Sequence, residues 1–179
     1  MKRGFTLLEL LIVIAILAVL ATVVIITLDP AEIMRKTRDV QRISDLSNLK
    51  TAIQMYLIDY ATDTLPWATS ATSSTSTSPN TPTNNWLGIN FTLMPSGSPL
   101  SRIPIDPVNN ETYQYRFQSS STVSKIDFEI DAKFESKYYT TGDTRLDNKD
   151  AGDNDTRYET GTALTIMTRI SDWFIGFLK

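Results

Sequence analysis

The sequence predicts an α+β fold in which one long N-terminal helix packs against a small antiparallel sheet. Two observations predict this class. Residues 5–28 form an uninterrupted apolar run, and apolar residues then recur at steps of three and four up to residue 60, the period of one helical face. Residues 112–118 and 126–134 instead alternate apolar with polar or charged side chains, which is typical of half-buried strands.

The N-terminal apolar run contains a single charged residue, Glu9. A helix over residues 5–28 is roughly 36 Å long at about 1.5 Å per residue, enough to cross a hydrocarbon core of about 30 Å. A carboxylate in such a span costs roughly 2.5–3.5 kcal/mol, and the run holds no cation, so we expect a second chain to supply the partner. A secretory signal peptide has a shorter apolar region, and a plain signal anchor leaves Glu9 unexplained.

Asp29 and Pro30 predict a break in this helix. Pro30 suits the first position of a new helix, and Asp29 suits its N-cap, with Glu32 three residues later. We expect the new helix to pack its apolar face on the sheet; this face holds Ile43, Leu46, Leu49, Ile53, Tyr56 and Tyr60. We expect the opposite face to be solvated or to lie against neighbouring chains; it holds Arg35, Arg38, Asp39, Arg42, Asp45 and Lys50.

Beyond the helix, residues 69–85 are rich in Ser, Thr and Pro and nearly free of apolar side chains. Such a segment cannot bury enough surface to offset its ordering entropy, so a surface loop is expected, either bare or glycosylated. The two prolines that flank Asp106, at positions 104 and 107, predict a fixed turn.

The C-terminal part predicts a β-hairpin of residues 112–118 and 126–134, with a turn over residues 119–124. A third strand is expected at residues 163–168. The chain then ends in a predicted amphipathic segment over residues 171–179.

Composition excludes several kinds of site. The 179 residues include neither Cys nor His, which excludes disulfides, Cys-ligated zinc, thiol nucleophiles and imidazole catalysis. The formal net charge of −3 gives no indication of nucleic-acid binding.

An acidic loop between two predicted strands is a candidate metal site. Its carboxylates are Asp143, Asp147, Asp150, Asp153, Asp155 and Glu159. Hard oxygen ligands at this density suit calcium, although their spacing is not that of an EF-hand. The alternatives are a solvated loop neutralised by Arg145, Lys149 and Arg157, and a catalytic carboxylate pair.

Residues 2–9 resemble the prepilin signature of type IV pilins and type II secretion pseudopilins. The matching features are a short basic leader, Gly4, Phe5, and Glu9 four residues after Phe5. The resemblance implies that a prepilin peptidase cuts between Gly4 and Phe5 and methylates the new amine. It also implies that Glu9 pairs with the Phe5 amine of a neighbouring subunit and sets the register of the filament.

Residues 104–115 resemble the major pseudopilins, which carry a similar Pro-x-Asp-Pro followed by Asn and Tyr-x-Tyr and hold calcium in a comparable C-terminal loop. The resemblance implies a pilin fold in five segments. These are a leader (1–4), a transmembrane or filament-core helix (5–29), its soluble half (30–62), a surface loop with the Pro-Asp-Pro turn (63–111), and an antiparallel sheet with the acidic loop (112–179).

The function implied is structural and non-catalytic: copies of the chain polymerise into a helical type IV pilus-like filament. A type II secretion pseudopilus and a membrane-anchored extracytoplasmic enzyme with paired carboxylates are the alternatives. The implied partners are the prepilin peptidase, an inner-membrane platform protein and an assembly ATPase. The precursor is expected to cross the bacterial inner membrane once before it enters an extracellular or periplasmic filament.

Overall fold

The structure, a computed structural model, describes residues 4–59, 72–75, 80–122 and 125–167. The helices are α1 (Leu7–Leu28), α2 (Pro30–Asp59) and the short α3 (Lys137–Thr140), with 3₁₀ turns at Phe91–Leu93 and Gly142–Thr144. The strands are β1 (Thr72–Ser73), β2 (Arg116–Thr122), β3 (Lys125–Ala132) and β4 (Tyr158–Gly161). Within the described residues they form one antiparallel sheet in the order β1-β2-β3-β4, which confirms the α+β class.

The predicted helix break lies between α1 and α2. Asp29 caps α1 in the left-handed region, at φ 39°, and Pro30 is the first residue of α2. The Asp29 Oδ1 atom also accepts a hydrogen bond from the Glu32 backbone N–H at 3.3 Å. Asp29 therefore ends one helix and starts the next.

The core lies between α2 and the inner face of the sheet. Leu46, Leu49, Ile53 and Tyr56 are buried as predicted, whereas Ile43 is only half-buried and Tyr60 lies outside the described residues. The sheet contributes Phe117, Phe128, Ile130 and Ala132 to this core, and Tyr115 joins them from the residue before β2.

Part of the expected surface loop instead belongs to the core. Four apolar residues that follow the polar tract pack into the core: Trp86, Leu87, Ile89 and Phe91. Asn85 fixes the turn that delivers them: its Nδ2 donates to the Ile89 carbonyl at 2.8 Å, and its Oδ1 accepts from the Leu87 N–H at 3.1 Å.

The Ser/Thr-rich tract also supplies the edge strand β1, with Thr72 opposite Phe117. Ser74 follows directly after β1. Its side chain is buried, and its hydroxyl donates to Asn109 Oδ1 at 2.6 Å. The surface-loop prediction is therefore wrong for residues 72–74. Residues 72 and 73 pair with β2 as an edge strand, and the buried Ser74 hydroxyl makes its hydrogen bonds within the protein. Residues 69–71 and 76–79 lie outside the described residues.

The hairpin is confirmed, with shifted bounds. β2 runs from Arg116 to Thr122, four residues beyond the predicted end, because its serines pair with β3 as far as Thr122 opposite Lys125. The third strand is β4, five residues before the predicted start at Ala163. It ends at Gly161, since Thr162 and Ala163 then turn their N–H groups onto the Phe128 carbonyl. The predicted amphipathic segment, 171–179, lies outside the described residues.

Candidate functional site

The N-terminal end of α1 brings the predicted processing and assembly residues close together. Thr6 is the N-cap, and its Oγ1 accepts a hydrogen bond from the Glu9 backbone N–H at 3.2 Å. Glu9 therefore sits in the first turn, where the partial positive charge of the helix end favours a carboxylate. Phe5 is 78% exposed, and apart from the chain neighbours of Gly4 no atom of the described residues lies within 4 Å of where a Gly4 Cβ would stand.

Nothing in the described chain covers α1. Its Leu7–Ile25 segment is the one helix in the described residues that is long and apolar enough to cross a membrane, and none of its apolar window is buried. Exposing so much apolar surface to water is unfavourable, and a helix of this kind fits a membrane or a bundle of other apolar helices.

The charged face of α2 is buried in part, so the prediction of a solvated or subunit-facing surface is wrong for Asp39 and Arg42. Asp39 and Arg42 are completely buried, and Asp45 accepts a hydrogen bond from the Tyr115 hydroxyl at 2.8 Å. Arg42 Nε and Nη2 hold both oxygens of Asp106 at 2.7 and 2.8 Å, and its Nη1 reaches Asp39 at 2.8 Å and Glu135 at 2.6 Å. The prediction is wrong here because charge was equated with exposure, whereas these ions are paired inside the protein.

This buried ion cluster ties three segments of the chain together. Asp106 also accepts the Val108 N–H at 2.8 Å, so Arg42 fixes the Pro-Asp-Pro turn against α2. Asp39 also accepts the N–H of Ser136 at 2.7 Å, at the start of α3. Burial alone raises the pKa of Glu135, but hydrogen bonds from Arg38 and Arg42 outweigh it and hold that pKa below its usual range.

The acidic loop does not gather its five predicted aspartates into one site. Asp143 is exposed, whereas Asp147 is buried in an ion pair with Arg145 Nε at 2.5 Å. Asp150 accepts the backbone N–H of Gly152 at 3.1 Å and that of Glu159 at 2.6 Å. The remaining two, Asp153 and Asp155, flank Asn154, whose side chain caps the next turn through Thr156.

A second set of carboxyl groups, which shares Glu159 with the acidic loop, converges on the outer face of the sheet. Glu129 and Asp131 point outward from β3, and Glu159 is opposite Asp131 on β4. One oxygen from each of the three lies within 4.8 Å of the others, and all three residues are buried. We call Glu129, Asp131 and Glu159 the acidic cluster.

Two arginines border the acidic cluster. Arg116 on β2 and Arg157 before β4 both donate to Asp131, with the Arg157 Nε atom 2.6 Å from Oδ1. Burial, followed by the neighbouring Glu129 carboxyl group, raises the pKa of Glu159 to about 9. Burial is also the main reason why the pKa of Glu129 is raised.

Sequence reasoning named Glu159 but missed Glu129 and Asp131, although a signal was present. The predicted strand 126–134 has acidic residues at every second position, 127, 129 and 131, and therefore on one face. The half-buried strand predicted from this alternation would leave that face toward solvent. In the structure, the segment before β4 and the residues after it cover it, with the Ile166 and Met167 N–H groups bonded to Glu129.

Comparison with known proteins gives one match. Residues 1–25 match the family described as the prokaryotic N-terminal methylation motif, the hallmark of type IV pilin and pseudopilin precursors. No curated protein and no solved structure matches the chain.

Proposed function

We propose that this chain, which begins with the hallmark of type IV pilin and pseudopilin precursors, is the major structural subunit of a type IV pilus-like filament. In this proposal a prepilin peptidase removes residues 1–4 and methylates Phe5. The mature subunit leaves the inner membrane through a platform protein driven by an assembly ATPase. It then polymerises with copies of itself outside that membrane, and the chain itself catalyses no reaction.

The observation that carries the proposal is the single carboxylate in the first turn of an uncovered apolar helix. The exposed Glu9 lies four residues from Phe5, the residue that would bear the new amine. A carboxylate in hydrocarbon without a partner is costly, and pairing with a cation lowers that cost. Packing α1 against α1 of another subunit supplies the amine and covers the apolar surface at once.

Loss of the Glu9 charge should affect membrane insertion and filament assembly in opposite ways. Replacing Glu9 by Leu removes a charge from the span, which favours insertion by about 2.5–3.5 kcal/mol. The same change removes the partner of the Phe5 amine in the neighbouring subunit. Precursor in the membrane should therefore be retained or increased, while filaments are lost.

The test is electron microscopy and immunoblotting of material sheared from cells that express Glu9→Leu. Thr22→Val is the matched control, because it removes a polar group from α1 that only bonds back to the Ala18 carbonyl. We expect filaments with Thr22→Val and none with Glu9→Leu at equal membrane levels. Glu9→Leu filaments as abundant as those of the wild type would contradict the proposed pairing.

A pseudopilus of a type II secretion system is the second candidate. The turn at Pro104, Asp106 and Pro107, which follows the major-pseudopilin pattern, is locked to α2 through Arg42. Microscopy of the same sheared material separates the two candidates. Long surface filaments that contain this chain support a pilus, whereas their absence from secreting cells supports a pseudopilus.

A further inference from the structure

Two distant segments of the chain bring basic side chains to the end of α2 that adjoins α1. Arg35 and Lys36 lie in the first turns of α2, no more than about 9 Å of helix rise from its start. The α3 segment lies beside them: the Lys137 N–H donates to Oε1 of Glu32, and Lys36 Nζ is 3.5 Å from the centre of the Tyr138 ring. We call Arg35, Lys36, Lys137 and Tyr138 the basic patch.

Much of the basic patch is uncovered by the described chain. Lys137 and Tyr138 are exposed, and the Arg35 side chain is half-exposed. The next cation on α2, Arg38, differs, because its Nε donates to Glu135 at 2.8 Å. The basic patch therefore holds cations that the buried ion cluster does not use.

Two carboxylates lie at the same end of α2. Asp29 accepts the Glu32 N–H at 3.3 Å, and the Glu32 carboxylate accepts Arg35 Nη1 at 3.3 Å as well as the Lys137 N–H. The three cations of the patch outnumber these two carboxylates and leave a formal charge of +1, in a chain whose net charge is −3. This local excess favours an anionic partner.

The position of the patch next to α1 determines which anionic surface is nearest. When α1 crosses a bilayer, the headgroup layer beyond the hydrocarbon core is about 5–8 Å thick on each side. The first turns of α2 then lie in or just above this layer, within reach of long Lys and Arg side chains. Ile33 and Met34 are more than half exposed in these same turns. Apolar, aromatic and basic side chains together are typical of a membrane–water interface.

We propose that the basic patch binds the phosphate groups of anionic phospholipids and holds the folded domain against the membrane before assembly. The Arg35 guanidinium and the Lys36 and Lys137 ammonium groups donate hydrogen bonds to phosphate oxygens. This inference rests on the membrane-spanning precursor of the proposed function and is independent of whether the subunit later polymerises.

The test places the full chain in nanodiscs of phosphatidylcholine alone, or of equal parts phosphatidylcholine and phosphatidylglycerol. Mass spectrometry follows amide hydrogen exchange in residues 32–38 and 136–141. Protection of residues 7–25 in every disc reports separately whether α1 is inserted, so a failure of the patch is distinguishable from a failure of the membrane span.

The patch variant, Lys36→Gln with Lys137→Gln, removes two cations. The control variant, Lys50→Gln with Arg102→Gln, removes two others: Lys50 is about 21 Å of helix rise beyond Lys36, and Arg102 lines a cleft with Asn48. Lys36→Arg with Lys137→Arg retains both charges and should behave as the wild type.

We expect phosphatidylglycerol to slow exchange in both segments at least threefold in the wild type and the control variant, and to have no effect on the patch variant. High salt should remove the effect, because it screens exposed charges. Equal exchange of the wild type in the two lipids would overturn the proposal, and so would slowing that persists in the patch variant. Equal slowing by inorganic phosphate in phosphatidylcholine discs would also overturn it, in favour of a site for soluble phosphate.

Discussion

At the scale of single residues, the sequence indicated which side chains carry charge and not which of them are buried. Arg42 lies on the helical face that periodicity marks as polar, and its partners Asp106 and Glu135 are far along the chain. Sequence periodicity detects neighbours three or four residues apart, such as Asp39, and no pairing at longer separation. The fully buried cluster could therefore not be predicted.

Replacing Arg42 by Met should lower the free energy of unfolding by about 3–5 kcal/mol, because it leaves buried carboxylates without their cation. Urea unfolding of the full chain in detergent, followed by circular dichroism, measures the change. Arg35→Met is the control, since Arg35 is 43% exposed and pairs only with Glu32 within its own helix. Its cost should be at most about 1 kcal/mol, and equal costs for both variants would contradict the burial argument.

The lowered pKa of Glu135 leads us to expect a loss of stability in acid. Its pKa in the folded chain is lowered: burial opposes the shift, but the hydrogen bonds from Arg38 and Arg42 outweigh burial. The folded state then binds fewer protons than the unfolded state, so this contribution is complete above the unfolded pKa and is lost as pH falls through the folded pKa. Unfolding midpoints measured from neutral pH to below pH 4 should fall less steeply for Glu135→Gln than for the wild type. Parallel curves would show that Glu135 is not responsible.

At the scale of elements, long patterns were predictable and short ones were not. The two helices and the β2–β3 hairpin extend over many residues, so their periods are readable from sequence. β1 has two residues and β4 has four, and both depend on pairing with distant strands. The positions of β1 and β4 are set by the strands they pair with, β2 and β3, more than by a pattern in their own side chains.

Gly161 shows how closely β4 approaches β3. A Cβ at this residue would lie 2.0 Å from the Phe128 carbonyl oxygen, so Gly161→Ala requires the backbone to shift. We expect a loss of about 1–3 kcal/mol, the usual cost of overpacking. Chemical unfolding checks this, with Thr160→Ala on the same strand as a control that should cost less. A Gly161→Ala chain as stable as the control would place β4 differently.

At the scale of the whole molecule, the proposed assembly surface and the hydrophobic core lie in different parts of the chain. α1 is uncovered, whereas the core lies between α2 and the sheet. The candidate assembly site was predictable because Gly4, Phe5 and Glu9 form a local motif. The acidic cluster was not, because its members come together only when β3 and β4 pair and place Glu159 opposite Asp131.

This separation predicts that processing can be blocked without loss of the fold. Apart from its chain neighbours, no described residue has an atom within 4 Å of the place a Gly4 Cβ would take, so Gly4→Leu should leave the unfolding midpoint of the full chain unchanged. The bulky side chain should nevertheless prevent the prepilin peptidase from cutting the Gly4–Phe5 junction, while Gly4→Ala is tolerated.

Mass spectrometry of membrane and filament fractions should find a mature chain that begins at methylated Phe5 in the wild type and in Gly4→Ala. An intact N-terminus should remain in Gly4→Leu. Recovery of intact Met1 from wild-type filaments, or of a new terminus near Ala21, would contradict both the cleavage site and the assembly role built on the Phe5 amine.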